Sequence, residues 1–254
     1  AEFHPAPPDV VEEAGPIKNV ANTHFVRHAG RYLALLEVAP PTEMTRDLDT
    51  VGEYDFAGRL VGGMTAHPKI DAQTGEMMFF GYSAMPPYLR YHVADRNGNL
   101  VHSVDIDLPA SVMMHDFVVT ENYSVFIAPP AVFDLAALMS GAPAIRWEAD
   151  RPTLIGVIPR RGSAAEVRWF EVDPFYVVHY FNAFEEGDTI RIFGPRMPAM
   201  PGGFEFQEPQ ATADPPLWTW RVDLAAGTVT DEQLVDAAGE FSRIDDRRAG
   251  RRHR

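Results

Sequence analysis

The sequence predicts an all-β, antiparallel fold. Three observations carry that expectation. Short apolar runs rich in β-branched and aromatic residues recur along the whole chain. Gly-, Asn- and Pro-containing turn signals separate them. Helical periodicity is almost absent. A sandwich and a propeller both satisfy this pattern. Strand pairs recur every twenty to thirty residues, roughly, which favours propeller blades, although no WD or kelch repeat is present.

Residues 1–18 are Pro- and acid-rich and read as a loop or linker. Residues 23–38 read as a hairpin around Ala29-Gly30, closed by Pro40-Pro41. Residues 42–63 are mixed and polar, punctuated by Gly58, Gly62 and Gly63. Strands follow at 76–82 and 88–93, the second alternating like a half-buried strand. Asn97-Gly98 is a strong turn because both residues tolerate positive φ, and 100–108 is the return strand. Runs at 116–120 and 124–128 flank the turn Glu121-Asn122-Tyr123. A short helix is expected at 133–139, capped by Gly141. Runs at 153–158 and 167–172 flank Arg160-Arg161-Gly162-Ser163. The run around His179 is expected to pair with 189–193 across Glu185-Glu186-Gly187-Asp188. Residues 195–216 form a Pro- and Gly-rich loop, and 217–224 is a strand with its return after Ala226-Gly227.

Composition sets limits on function. The chain has 254 residues and is 46 % hydrophobic, enough for a sizeable core. Its net charge of −14 argues against a nucleic-acid partner, since phosphate binding needs basic clusters. The short basic cluster at 247–254 reads as an exposed terminal loop. Without cysteine there is no disulfide, thiolate metal site or thiol nucleophile, which fits a reducing compartment. No apolar run approaches the ~20 residues that span a bilayer, and residues 1–4 carry no signal-peptide pattern. The expected location is therefore cytoplasmic. Both ends read as cut rather than finished.

The chemistry is carried by histidine. A lone histidine in an apolar run is ordinarily a satisfied core residue. Here His67, His115 and His179 all sit in apolar surroundings, spaced 48 and 64 residues apart. That spacing matches no zinc finger or HExxH motif. It suits ligands delivered from different blades to one central metal, and neutral imidazole serves Fe, Zn, Cu or Ni. A ligating histidine usually gives its other N–H to a carboxylate or carbonyl. Glu37 ends one apolar run and Glu240 precedes Phe241 in a similar setting, so both are candidates for that task. The alternative is that each is a strand-end surface charge. His4, His24, His28, His92, His102 and His253 fall in turns, polar faces or tails and are assigned no role. No GxSxG, P-loop or GxGxxG pattern occurs. Glu185-Glu186 reads as a solvated turn and Gly62-Gly63 as a flexible step.

Five motifs stand together in order: Asn22-Thr23-His24-Phe25-Val26, Thr65-Ala66-His67-Pro68-Lys69, Met114-His115-Asp116-Phe117, His179-Tyr180-Phe181-Asn182-Ala183-Phe184-Glu185 and Glu240-Phe241-Ser242-Arg243-Ile244-Asp245. In these the chain resembles the carotenoid cleavage oxygenase (retinal pigment epithelial membrane protein) family over nearly all of 20–250. The resemblance implies a seven-bladed β-propeller with a helical cap, of which residues 1–254 form one partial domain covering the middle blades. It implies non-haem Fe(2+) held by four histidines, three of which match His67, His115 and His179. It implies that Glu37 orients His115 and Glu240 orients His179. The family's fourth histidine and third glutamate would lie beyond residue 254.

The reaction implied is insertion of both atoms of O2 across a conjugated C=C bond, giving two carbonyl fragments. The substrate would be a small, apolar, conjugated molecule held in a long apolar tunnel. Phe79, Phe80, Tyr180, Phe181 and Met113-Met114 are expected as walls or, alternatively, as plain core packing. Stilbene-cleaving relatives carry Lys just before the glutamate matching Glu37; Leu36 stands there in this chain and tilts the expectation towards a carotenoid or apocarotenoid. A lipid substrate implies transient membrane contact. The alternatives are a lignostilbene-type dioxygenase, an isomerising relative, and a non-catalytic propeller piece without a complete iron site.

Overall fold

The computed structural model describes residues 19–140, 142–201, 215–240 and 243–253. The expected loop at 1–18, His4, Gly141 and most of the expected loop at 195–216 lie outside them.

Among these residues the strands form four consecutive four-stranded antiparallel sheets. The first holds β1 (His24–His28), β2 (Arg31–Leu35), β3 (Thr42–Met44) and β4 (Thr50–Glu53). The second holds β5 (Lys69–Ile70), β6 (Met77–Tyr82), β7 (Leu89–Ala94) and β8 (Leu100–Ile106). The third holds β9 (Val118–Val119) and β10 (Tyr123–Ala128), then β13 (Thr153–Pro159) and β14 (Arg168–Val172). An excursion of β11 (Ala131–Phe133), helix α1 (Leu135–Ser140) and β12 (Ile145–Trp147) interrupts it. The fourth holds β15 (Asn182–Glu186), β16 (Thr189–Pro195), β17 (Pro216–Asp223) and β18 (Thr228–Ala238). In every sheet the strands follow sequence order, with the first strand at one edge, and β9 lies against β15.

Three apolar clusters fill the spaces between successive sheets. Leu33 and Leu35 meet Met77 and Phe79 between the first two. Phe80 and Tyr91 meet Phe117, Phe126 and Ile158 between the second and third. Val125, Ile155 and Val157 meet Phe175, Ile190 and Trp220 between the third and fourth. Four sheets stacked in succession, the second and third covered on both faces, are propeller blades and not the two layers of a sandwich. Burial on both faces explains why β6 reads as an unbroken apolar run: all six residues are buried.

The structure corrects several local expectations. Residues 88–93 are not half-buried, because β7 packs on both faces. His92, read as polar-face, is buried at 1 % exposure. It stacks on Phe79 at 4.9 Å and shares a hydrogen bond with Ser103 Oγ through Nδ1 at 2.8 Å. Its burial pushes its pKa down to about 4, so its part is structural. The polar stretch 42–63 contains two strands, β3 and β4. Helix α1 begins two residues later than expected, with Asp134 Oδ1 accepting from the Ala137 amide at 2.9 Å.

Polar side chains tie the second and third blades inside the core. Tyr91 Oη donates to the Arg160 carbonyl at 3.0 Å and accepts from Ser124 Oγ at 2.7 Å. Tyr91→Phe strands both buried partners and is expected to cost about 1–3 kcal/mol in urea denaturation. A loss below ~0.5 kcal/mol, the scale of an ordinary surface change, would show that these groups re-pair elsewhere.

Candidate metal centre

His67, His115 and His179 all precede the first strand of a blade. His67 lies two residues before β5, and His115 and His179 each lie three before β9 and β15. All three occupy irregular backbone. For His179 this corrects the expectation that its run is itself the strand. Tyr176 makes only an isolated antiparallel bridge to Met197, and the Tyr180 amide is taken by Asp116 Oδ2, so no continuous ladder runs through His179. Pairing with β16 begins only at Asn182.

These approach segments bring the three rings together. The Nε2 atoms of His67 and His115 are 2.9 Å apart, and those of His115 and His179 are 3.2 Å apart. One nitrogen from each ring falls within 4.8 Å of the others. Two imidazole nitrogens bound to one ion at about 2.1 Å and a right angle stand about 3 Å apart.

The carboxylates decide what these close approaches are. Both oxygens of Glu37 lie 2.9 Å from His115 Nδ1, and Glu240 Oε2 lies 2.8 Å from His179 Nδ1. A carboxylate accepts, so Nδ1 carries the proton in both rings. In the neutral form each Nε2 then presents a lone pair. Two lone pairs at 3.2 Å repel unless a cation lies between them. Burial pushes His67 down to about 3, against the pull of Asp116, so its ring is neutral at pH 7. For His115 burial disfavours charge, but the hydrogen bond and charge of Glu37 outweigh it and the net direction is upward. Three converging imidazole nitrogens, two of them in rings whose Nδ1 is held by a carboxylate, are a donor set that fits a divalent transition metal.

The structure brings together the five residues singled out in the sequence, with Glu37 and Glu240 turned onto histidine rings. The sequence missed what lets their segments meet. A Cβ on Gly81 would lie 2.2 Å from the Gly63 carbonyl oxygen, and one on Gly63 would lie 2.5 Å from the Val38 carbonyl. The two glycines thus let β6, the His67 segment and the Glu37 segment stack backbone on backbone. Gly63 is a close-approach site, where the sequence suggested only flexibility. Tyr82 was also missed: burial first, then the neighbouring charge of Glu37, hold its phenol well above its ordinary pKa. Of the expected walls, Phe79, Phe80, Met113, Met114 and Tyr180 are buried in the inter-blade clusters, the packing alternative. Phe181 packs on Phe193 and His253.

A sequence model of the family described as retinal pigment epithelial membrane protein matches residues 3–254. The chain belongs to this family. Among curated family relatives, isoeugenol monooxygenase of Pseudomonas putida is 37 % identical over 93 % of this chain and 52 % of its own length. Carotenoid 9,10(9',10')-cleavage dioxygenase of Crocus sativus is 36 % identical over 92 % of this chain and 44 % of its own. The chain thus spans about half the length of the curated relatives it matches. Among solved structures, lignostilbene dioxygenase of Pseudomonas brassicacearum superposes with a TM-score of 0.83 at 35 % identity, covering 92 % of this chain and 52 % of that one. Cobalt-substituted ACO of Synechocystis gives 0.82 at 26 % identity, covering 93 % and 53 %. The four sheets are accordingly blades of the family's β-propeller, and the named relatives are oxygenases and dioxygenases.

Proposed function

We propose that this chain carries three ligands of a non-haem Fe(2+) centre in an enzyme that cleaves a conjugated C=C bond with O2. The observation that carries the reading is the convergence of the His67, His115 and His179 Nε2 atoms, two of them with Nδ1 held by Glu37 or Glu240. Iron(II), when bound, supplies the electrons that make O2 reactive towards an electron-rich alkene. The overall change adds one oxygen atom to each alkene carbon and yields two carbonyl products. The chain's own part is to hold three imidazoles, His115 and His179 by their Nδ1 protons and His67 neutral by its burial, and to leave the metal's charge uncancelled by any directly bound carboxylate. In this reading residues 1–254 form one partial propeller domain, with 1–18 as its lead-in.

The substrate proposed is a carotenoid or apocarotenoid, because Leu36 places an apolar side chain beside Glu37. A second reading, a phenolic stilbene or phenylpropene, is favoured by the relatives named for isoeugenol and lignostilbene. A polyene dissolves in lipid, so this reading includes transient peripheral membrane contact from the cytoplasmic side. Among the described residues no helix is long and apolar enough to cross a membrane. The test is to load the chain with Fe(II), add an apocarotenal, a hydroxystilbene or isoeugenol under 18O2, and analyse the aldehydes by mass spectrometry. The expected result is labelled aldehyde from the polyene above the phenolic alkenes; the reverse order selects the second reading. Metal-bound protein that leaves all three alkenes intact would overturn the proposed activity.

A further inference from the structure

Asp116 stands beside His115 but its carboxylate is not part of the converging donor set. Its residue is 4 % exposed. Oδ1 accepts from Lys69 Nζ at 2.7 Å and from the Phe117 amide at 2.8 Å, and Oδ2 accepts from the Tyr180 amide at 2.9 Å. Lys69 is two residues after His67, Asp116 follows His115, and Tyr180 follows His179. One buried carboxylate therefore grips all three histidine-bearing segments, each from a different blade. Thr65 reinforces the junction: its Oγ1 accepts from the His67 amide at 3.1 Å and approaches the His115 carbonyl at 3.4 Å. A buried carboxylate that loses a donor is strongly penalised. The three segments cannot separate without leaving Asp116 unpaired.

We infer that Asp116 is the positioning residue of the centre, holding the approach segments of three blades in the register that makes the three Nε2 atoms converge. It rests on the metal-centre reading for its consequence, but the geometry it fixes belongs to the protein alone. Lys69 supplies its counter-charge and the lever on His67. The carboxylate acts through backbone and lysine and touches neither metal nor substrate.

The test compares Asp116→Leu and Asp116→Asn with Asp71→Asn. Asp71 makes a matched buried pair with Arg160 at 2.6 Å, again between the second and third blades, but past the other end of β5. Crystal structures of the metal-free proteins and Co(II) titrations, read by the visible spectrum, are taken for all three. In Asp116→Leu the Nε2 atoms are expected to spread beyond 4.8 Å, and Co(II) affinity to fall about 10- to 100-fold. Asp116→Asn keeps one acceptor and should fall between, so it carries the test where the leucine variant fails to fold. Asp71→Asn is expected to lower denaturation stability while leaving both cluster and affinity as they are. A compact histidine cluster in both Asp116 variants, or equal dispersal in Asp71→Asn, would overturn the inference. Absence of Co(II) binding by the unsubstituted chain would instead refute the metal reading, with the metal-free structures still deciding the role of Asp116.

Discussion

Replacing His115 with alanine is expected to abolish metal uptake. His115 is the middle donor, with its Nε2 2.9 Å from that of His67 and 3.2 Å from that of His179. Its loss leaves two of the three ligands and also removes the partner of both Glu37 oxygens. Outer carboxylate partners of metal-bound histidines are commonly worth about 10- to 100-fold in affinity, and a ligand more. After anaerobic loading with Fe(II) and desalting, the unsubstituted chain should retain metal and His115→Ala only background. Glu37→Gln should retain an intermediate amount, since an amide can still accept from Nδ1 but carries no charge. Equal retention by His115→Ala and the unsubstituted chain would mean that the ion binds elsewhere.

Gly81→Ala is expected to damage stability and site together. The new Cβ meets a backbone carbonyl oxygen at 2.2 Å, so no side chain can swing aside to relieve it. Either β6 leaves its ladder or the His67 segment moves outward. Overpacking of this kind costs about 1–3 kcal/mol, and a rigid backbone partner places it at the upper end or beyond. Because the displaced segment carries His67, metal affinity should fall at least ~10-fold as well. Gly63→Ala acts one layer further out, against Val38, and should disturb Glu37 in the same manner. Denaturation midpoints paired with metal titration check both; unchanged metal affinity in a destabilised Gly81→Ala would separate the packing from the site.

Much of this was legible in the sequence, for identifiable reasons. Asn97-Gly98 and Ala29-Gly30 mark hairpins because positive φ is a local demand, with Gly98 at φ +84° and Gly30 at φ +81°. The middle-blade strands are legible because burial on both faces demands unbroken apolar runs. The outer strands β3 and β4 are not, since partly or fully exposed residues leave no period to read. The run around His179 reads as a strand because its β-branched residues do not reveal that the Tyr180 amide is engaged by Asp116. The five residues that converge in the structure stand out in the sequence by their setting and motif order. Asp116 does not, because its partners are 47 and 64 residues distant and a carboxylate next to a histidine suggests only a local role.

The same long separations bear on how such a centre comes into being. His67 and His115 are 48 residues apart, His115 and His179 are 64, Glu37 and His115 are 78, and His179 and Glu240 are 61. No two of these five residues share a turn, and each must close a long loop before it gains a partner, a cost paid in chain entropy. In the unfolded chain these five residues therefore offer a metal no nearby pair of ligands and no seed from which to grow. The centre can form only after neighbouring blades have docked, which makes it a late event in folding. During unfolding the order reverses: the first loosening between blades would disperse the five residues, and any ion they hold, while the hairpins within each blade persist.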